Sequence, residues 1–577
     1  MTAVHIEEPP APPDAPRNRG TRLLKRLHVL RVATLRRVGG RVLTVLAALV
    51  VFVALVIPRE LAMITPWALL RIPVEAIVGV VLVLALPRRL RSWVAGACGA
   101  VLGVVLILKA LDVGFLSVLG RPFDPVLDWV LLDNAREFLH GSFGPTGAIG
   151  ATVAAVLLAV LAVALMALAA RRLSRVVGRY RSGATRAAAV LSVVWLAAFA
   201  LSLQIVEPVP VASRSAAALV YEKAKQVPVS LRDEREFAAQ AASDSLAPAA
   251  VAAQEEMLAG LRGKDVLLTF IESYGRNAVE DPRYAPQVDA TLQAGMARLA
   301  AGGYAARSGW LTSPVSGGSS WLAHATLVSG LRIDNQQRYR SLVSSDRLTL
   351  SKAFQSSGWE TANVMPGTDR AWPEAAYFGF DRVHDGPGLG YQGLDFAWSP
   401  MPDQYALAQF QHREHGRTDR GPLMAQLELT SSHVPWWPYP KLVDWDAIGD
   451  GSIFRAQVEG GEPPEKIWKN DDRMRQAYRD STVYSLETVL SYVERYGDDR
   501  LVMVFLGDHQ PASIITGENP SHDVPITIVT RDRAVLDRIA DWRWAEGLKP
   551  GPQTPVWPMD AFRDRFMSAF GAAPTPR

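Results

Sequence analysis

The sequence predicts a protein of two parts, an N-terminal α-helical polytopic membrane domain with five helices and a C-terminal extracytoplasmic α/β domain. Three observations support this division. Five long apolar stretches fall within the first 206 of the 577 residues. That first part carries 23 Lys and Arg against 10 Asp and Glu, whereas residues 207–577 carry 38 against 47. From Lys264 onward, short β-rich runs alternate with helical stretches, a pattern typical of α/β domains.

Composition also excludes several classes of protein. The chain has a single Cys, so it has no intramolecular disulfide and no cysteine-based zinc or iron–sulfur site. The acidic balance of the second part argues against nucleic acid as its partner. The opposite charges of the two parts indicate two different environments.

The apolar stretches predict the membrane spans. Most of them approach the ~20 residues that a helix needs to cross the hydrocarbon core of a bilayer. The second is short and is bounded by Pro73 and Pro87. We predict five transmembrane helices within residues 42–206. They cover residues 42–57, 73–87, 92–111, 147–170 and 187–206.

The basic residues predict the orientation. Residues 1–41 hold nine Lys and Arg, residues 88–91 hold three, and residues 171–186 hold six without an acid. The positive-inside rule places these segments in the cytoplasm. An odd number of spans then puts everything after residue 206 outside a bacterial cell membrane. We therefore predict a disordered basic tail over 1–41, a helical connector over 207–263 and an extracytoplasmic catalytic domain over 264–577.

Four runs in the second part have the composition of buried strands, and three of them end in polar residues. Glu272 follows the first run, Ser431-Ser432-His433 follow the second, and Asp508-His509 follow the third. The four runs are Val266–Ile271, Leu423–Leu429, Leu501–Leu506 and Pro525–Val529. Long connections between them indicate a largely parallel sheet. Sites in open α/β sheets form beyond the carboxyl ends of strands, so these side chains are expected to converge there.

A glycine-rich segment, Ser316-Gly-Gly-Ser-Ser320, precedes a helix-forming run. A serine hydroxyl at a helix N-terminus lies where backbone amides and the helix dipole favour an anion. Taken alone, the segment could equally be an ordinary serine cap. Asp508-His509 taken alone could be a buried ion pair or two metal ligands.

The order of these motifs resembles the sulfatase-like branch of the alkaline phosphatase superfamily. Five N-terminal spans with an outer domain most resemble lipoteichoic acid synthase and its phosphoglycerol transferase relatives. The resemblance implies a sulfatase-like fold for the outer domain. It also implies one divalent metal, Mn²⁺ or Mg²⁺, held by Glu272, Asp508, His509 and the nucleophile Ser320. Ser320 is preferred to Ser319 because Gly330 lies ten positions after it, the spacing found in sulfatases.

The same resemblance implies further site residues. His433 would contact the phosphoryl group or shuttle a proton. Arg370 and Trp372 would contact the substrate, although the local spacing differs from that of the family. His522 would be a second substrate-binding histidine, with a structural loop histidine as the alternative.

The implied activity is a membrane-anchored phosphotransferase with a covalent phosphoserine intermediate. It would move a phosphoglycerol-type group from a lipid donor such as phosphatidylglycerol to a glycan or lipid acceptor of the envelope. One alternative is a phosphodiesterase, phosphatase or other hydrolase that uses water as the acceptor at the same site. A second is an inactive scaffold of the envelope. A formylglycine-type sulfatase is disfavoured, because the residues after Ser320 lack the Pro and Arg of that motif.

Overall fold

The computed structural model describes residues 19–59, 63–119, 121–206, 209–244, 257–369, 372–517 and 520–572. The chain divides into two compact units. The first comprises residues up to Pro58 together with Met63–Ile107 and Leu157–Leu219, and the second comprises Arg59–Ala62, Leu108–Val156 and Val220 onward. The domain boundaries predicted at residues 41, 206 and 263 stay predictions.

Within the described residues, six α-helices precede residue 243. The first begins at Arg19, so residues 19–41 of the predicted disordered tail are helical, whereas residues 1–18 lie outside the described residues. The fourth changes direction at Gly144, which has a φ of 71° and precedes Pro145. The six helices are α1 (Arg19–Val56), α2 (Val74–Ala85), α3 (Arg88–Leu119), α4 (Leu131–Arg179), α5 (Arg181–Ala200) and α6 (Ser215–Ala242).

One of the five predicted membrane-spanning helices is shorter than a helix that crosses a bilayer core. Within the described residues, four helical segments are long and apolar enough to cross a bilayer: Val38–Val56, Arg88–Ser117, Gly144–Arg179 and Arg181–Ala200. The fifth predicted span, 73–87, forms α2, which has only 12 residues. At 1.5 Å per residue, α2 is about 18 Å long, less than the ~30 Å hydrocarbon core of a bilayer.

The basic segments gather at one end of the first unit. The Arg172 guanidinium donates to Gly40 O on α1 and, at 3.0 Å, to Thr44 Oγ1. Arg171 lies over the Trp93 ring of α3, and Arg181 donates to Leu84 O at the end of α2. The ends of α1, α2, α3, α4 and α5 that carry the arginines therefore lie together.

The opposite ends of the same helices meet the segment 212–217. Ser215 Oγ donates to Leu55 O near the end of α1. The Ala217 amide donates to Glu75 at the start of α2, and Trp195 Nε1 of α5 donates to Ser213 O. The chain thus leaves the first unit at the end remote from its arginines.

A nine-stranded sheet forms the centre of the second unit. All four predicted strands are present, and five more were not predicted. In chain order they are β1 (Asp265–Ile271), β2 (Ala305–Thr312), β3 (Glu360–Met365), β4 (Arg382–Asp385), β5 (Leu423–Leu429), β6 (Leu501–Gly507), β7 (Asp523–Thr530), β8 (Ala545–Glu546) and β9 (Val556–Pro558). Their order across the sheet is β8-β2-β7-β6-β1-β5-β3-β4, and β9 pairs with β2. The strands from β6 to β4 are parallel, whereas β7 runs antiparallel to both β6 and β2.

Helices cover both faces of this sheet. Because β1 is buried along its whole length, alternate side chains belong to two separate cores, one per face. Leu267 and Ile271 face one core, and Leu268 and Phe270 face the other. The helices of this unit beyond α6 are α7 (Arg276–Glu280), α8 (Ala285–Ala301), α9 (Ser320–Ser329), α10 (Gln336–Val343), α11 (Leu350–Ser356), α12 (Ala375–Phe378), α13 (Gly386–Leu389), α14 (Asp403–Phe410), α15 (Arg455–Glu459), α16 (Pro464–Trp468), α17 (Asp471–Tyr496), α18 (Ser513–Thr516), α19 (Arg533–Asp537) and α20 (Phe562–Phe570).

The two central strands fit together only because β6 ends in glycine. Ile271 of β1 pairs with Gly507 of β6, and the chain after β1 turns across the end of β6. A Cβ on Gly507 would lie 1.8 Å from Tyr274 O. This close backbone approach sets the spacing of the residues that follow the two strands.

Replacing Gly507 with Ala is therefore expected to destabilise the second unit by about 1–3 kcal/mol or more, because backbone atoms must move to admit the methyl group. The measurement is the apparent melting temperature of the full chain in detergent. Gly421→Ala is the matched control, since its added Cβ meets nothing within 4 Å. Equal melting temperatures for the two variants would contradict the assigned role of Gly507.

Candidate active site

Three predicted metal ligands converge beyond the ends of β1 and β6. Glu272, Asp508 and His509 are buried, and each offers an atom within 4.8 Å of the atoms offered by the other two. His509 Nε2 lies 3.3 Å from Glu272 Oε1 and 3.5 Å from Asp508 Oδ2. The parallel pairing of β1 with β6 produces this cluster, because the residues that follow paired positions leave the sheet side by side.

The cluster has the donor atoms that a divalent cation needs. His509 Nδ1 donates to Gln510 O at 2.8 Å, and the other ring nitrogen, Nε2, faces the two carboxylates. Asp508 Oδ2 is buried and has no hydrogen-bond partner. Lone pairs that face one another in a buried space repel unless a cation or proton lies among them. Two carboxylates and an imidazole fit hard or borderline divalent ions.

Asp508 shows the electrostatic cost of this arrangement. The pKa of Asp508 is raised to about 6, chiefly because the group is buried and secondly because the Glu272 carboxylate is nearby. Its Oδ1 atom accepts from the backbone amides of Ser273 at 2.8 Å and His509 at 2.7 Å. These two amides stabilise the carboxylate without removing the cost, since Oδ2 stays unpaired.

The glycine-rich turn places Ser320 on this cluster. Ser320 Oγ donates to Glu272 Oε2 at 2.9 Å and lies 3.2 Å from His509 Nε2. The turn is anchored because the Gly317 amide donates to Gln510 O. Ser319 adopts the left-handed conformation (φ 68°) immediately before α9, which begins at Ser320. The structure therefore brings Ser320, the first residue of a ten-residue helix, to the predicted ligands.

His433 follows β5 on the same edge of the sheet. Its Nδ1 atom donates to Val434 O at 2.5 Å, and its ring stacks on Trp398 with 3.7 Å between centroids. Burial lowers the pKa of His433 to about 4, so the ring is neutral near pH 7. It lies close enough for the charges of His509 and Asp508 to influence that pKa.

The remaining predicted site residues are Trp372, His522 and Arg370. Trp372 is half-buried, stacks on Phe378 at 5.3 Å and donates to Tyr339 Oη at 3.3 Å. His522 is exposed directly before β7, and its carbonyl accepts from the Ser313 amide. Arg370 lies outside the described residues.

The structure adds a buried carboxylate that the sequence analysis missed. Asp403 accepts from the amides of Thr430 and Ser431 and from Ser485 Oγ at 2.6 Å. Ser432 Oγ in turn donates to Glu272 O at 2.6 Å. Asp403 therefore fixes the turn that carries His433, and Ser432 joins that turn to the end of β1. No local pattern marks Asp403, because its partners come from distant segments.

A second missed group is the pair His324 and Glu428. His324 Nδ1 lies 3.6 Å from Glu428 Oε2, and His324 Nε2 lies 4.0 Å from Asp508 Oδ2. Burial acts to lower the pKa of His324, but the carboxylates of Glu428, Asp508 and Glu272 outweigh it and raise the pKa above its usual value. A signal was available, since Gln426 and Glu428 alternate with apolar residues in a buried strand.

Comparisons with known proteins gave structural matches alone. No family model and no curated protein matches the chain. A lipoteichoic acid synthase from Listeria monocytogenes is similar at 14% identity and a TM-score of 0.36, over 56% of this chain and 75% of that one. The phosphoglycerol transferase GacH of Streptococcus pyogenes, solved with sn-glycerol-1-phosphate, shares 12% identity at a TM-score of 0.34, over 58% and 91%.

The soluble domain of lipooligosaccharide phosphoethanolamine transferase A from Neisseria meningitidis is similar at 10% identity and a TM-score of 0.35, over 53% of this chain and 88% of that one. At such identities and TM-scores, the roles assigned to residues of this chain rest on its own contacts.

The raised pKa of Asp508 predicts that this residue destabilises the metal-free protein when its carboxyl group ionises. The loss in the free energy of unfolding is absent below about pH 4 and grows as the pH rises to about 6. Asp508→Asn keeps an acceptor for the two amides, so it should stabilise the metal-free chain at pH 7.5 by ~3 kcal/mol. The gain should disappear at pH 4.

Melting temperatures at the two pH values, with and without MnCl₂, test this prediction. Mn²⁺ should raise the melting temperature of the parent and leave Asp508→Asn unchanged. Asp419→Asn, which alters an exposed carboxylate that pairs with Arg417, is the control and should behave as the parent. A metal-free Asp508→Asn protein that melts below the parent at pH 7.5 would contradict the prediction.

Proposed function

We propose that the chain is a membrane-anchored, metal-dependent phosphotransferase that transfers a phosphoglycerol-type group from a lipid donor to an envelope glycan or lipid. The observation that carries this proposal is the position of Ser320 Oγ, 2.9 Å from Glu272 Oε2 and 3.2 Å from His509 Nε2 at the start of α9. A hydroxyl in this setting is a nucleophile beside a cation site. The start of a helix, where Ser320 lies, favours an anionic group such as the phosphoryl group.

The chain's residues support a two-step reaction. A divalent cation, Mn²⁺ or Mg²⁺, bound by Glu272, Asp508 and His509 would lower the pKa of the Ser320 hydroxyl and polarise a phosphoryl oxygen. Ser320 Oγ would give up its proton and bond to phosphorus as the bond to the diacylglycerol oxygen breaks, and the leaving oxygen would take up that proton, so none is gained or lost. An acceptor hydroxyl would then give its proton to Nε2 of His433 and bond to the same phosphorus as the bond to Ser320 Oγ breaks, and the proton would pass on to Ser320 Oγ.

His433 suits the second step. Its Nδ1 hydrogen is directed at Val434 O, and its pKa of about 4 leaves Nε2 without a proton near pH 7. A neutral Nε2 can accept the proton of the incoming acceptor hydroxyl, which is general base catalysis. Trp398 holds the ring by stacking. Arg370, Trp372 and His522 remain proposed substrate contacts.

A hydrolase that uses water as the acceptor is the alternative function. The same serine, ion site and neutral His433 would serve it, because a water molecule has the proton that His433 would accept. The inactive scaffold is disfavoured, since Ser320 Oγ lies within hydrogen-bonding distance of both Glu272 and His509.

Two observations support a donor that lies in the membrane. Ser513 Oγ, four residues beyond His509, donates to Ser117 O of α3 at 2.7 Å. Leu119 Cδ2, at the end of α3, lies 3.5 Å from the position that a Cβ on Gly318 would take in the glycine-rich turn. The end of an apolar helix therefore lies beside the turn that carries Ser320. Tethering a site beside a two-dimensional substrate raises the effective concentration of that substrate.

We also propose that the N-terminus is cytoplasmic and the second unit extracytoplasmic. The arginine-rich ends of the helices lie together. The four long helices alone would return the chain to the side of the N-terminus, so the proposal requires α2, with its 12 residues, to pass from one end of the first unit to the other as a fifth crossing. The positive-inside rule assigns the arginine-rich end to the cytoplasm.

Full-length protein in nanodiscs with Mn²⁺ and fluorescent phosphatidylglycerol should release diacylglycerol, detected by mass spectrometry. Ser320→Ala should lower the rate at least about 10³-fold, because the nucleophile is lost. The adjacent Ser319→Ala is the matched control and should retain activity.

The products decide between the two functions. Phosphoglycerol attached to an added glycolipid supports the transferase, whereas free glycerol phosphate alone supports the hydrolase. If Ser319→Ala is inactive and Ser320→Ala is active, the nucleophile is wrongly assigned. If no phosphodiester is turned over and no metal binds, the scaffold is favoured.

Alkaline phosphatase fusions test the orientation, since this reporter is active only outside the cytoplasm. Fusions after residue 71 and after the C-terminus should be active, and fusions after residues 89 and 183 should be inactive. An active fusion after residue 89 would show that α2 does not cross the membrane. Green fluorescent protein at the same positions is the control and should give the opposite pattern.

A further inference from the structure

The pair His324 and Glu428 lies beside the candidate ion site and has no part in the reaction proposed above. His324 is four residues after Ser320 on α9, one helical turn along the same face. Its ring packs on Phe270 of β1 with 4.0 Å between centroids. The imidazole is therefore held between α9, which begins at Ser320, and β1, which ends just before Glu272.

Each nitrogen of this ring faces a carboxylate. Nδ1 lies 3.6 Å from Glu428 Oε2, and Nε2 lies 4.0 Å from Asp508 Oδ2. The Oδ2 atom is the buried oxygen of Asp508 that accepts no hydrogen bond. At 4.0 Å, the contact with His324 is electrostatic rather than a hydrogen bond.

Glu428 is itself held in place by two side-chain amides. Asn363 Nδ2 donates to Glu428 Oε1 at 3.1 Å, and Gln426 Nε2 donates to the same oxygen at 2.8 Å. The second oxygen, Oε2, is left for His324. The contacts therefore run from β3 and β5 through Glu428 and His324 to Asp508.

We propose that His324, held by Glu428, is a positioning residue that fixes Asp508 Oδ2 as a metal ligand. Carboxylates that bind metals are commonly held by a second layer of polar groups, and loss of such a group costs about 10–100-fold in metal affinity. Asp508 Oδ1 is already fixed by two backbone amides, so His324 acts on the oxygen left to face the ion. This inference rests on the ion site of the proposed function.

Isothermal titration of the full-length, metal-free protein with MnCl₂ in detergent tests the proposal without substrate. His324→Ala should weaken Mn²⁺ binding about 10–100-fold. Glu428→Gln should also weaken Mn²⁺ binding. The double variant should lose no more than His324→Ala alone, since both changes interrupt one chain of contacts.

The chain offers a matched control in His384, which is 16% exposed and pairs with buried Glu414 at 2.7 Å on β4, whereas His324 is 12% exposed. His384→Ala removes a similar pair away from the ion site and should leave Mn²⁺ affinity unchanged. If His324→Ala does not fold, as judged by its melting curve, the conservative His324→Gln and Glu428→Gln decide.

Unchanged Mn²⁺ affinity in the folded His324 and Glu428 variants would overturn the proposal. An equal loss in His384→Ala would also overturn it, because the effect would then be general destabilisation. With substrate, His324→Ala should lower kcat, and added Mn²⁺ should restore part of the loss without changing KM. A parent that binds Mn²⁺ but turns over no phosphodiester would refute the proposed function and leave the titration result standing.

Discussion

The parallel register between β1 and β6 is the constraint on which the candidate site depends. Ile271 pairs with Gly507, so Glu272 and Asp508 emerge side by side. A slip of one residue would turn one carboxylate to the opposite face of the sheet, because side chains alternate along a strand. The missing side chain of Gly507 lets the chain after β1 pass close to the end of β6. The apolar cores on both faces hold this register.

The register creates an electrostatic cost, and much of the surrounding structure limits it. Two carboxylates lie in a buried space, where unpaired charge is unfavourable. Backbone amides of Ser273 and His509 hold one oxygen of Asp508. Ser273 and Ser319 both have left-handed φ values, 56° and 68°, and strain of this kind concentrates at functional sites. The cluster that could hold an ion is thus built at the expense of stability.

Polar groups from distant segments give the site its precision. Asp403 shapes the turn that carries His433, Trp398 stacks on that ring, and Glu428 holds His324. None of these groups is a neighbour in sequence of the residue it orients. The end of α3 adds an apolar element to the same region, since Ser117 O accepts from Ser513 and Leu119 lies beside the glycine-rich turn. The proposed lipid donor would need both a polar centre and access from an apolar phase.

The sequence by itself determined the four central strands, the apolar helices and the residues at the strand ends, because these features follow from local hydrophobic patterns and from the chemistry of single side chains. The choice of Ser320 came from the family resemblance, because the glycine-rich segment taken alone fits an ordinary serine cap equally well. Only the tertiary structure decided the length of α2, the antiparallel direction of β7, and the roles of Asp403, His324 and Glu428. Those depend on contacts between residues many positions apart, and such contacts exist only once the strand order and register are fixed.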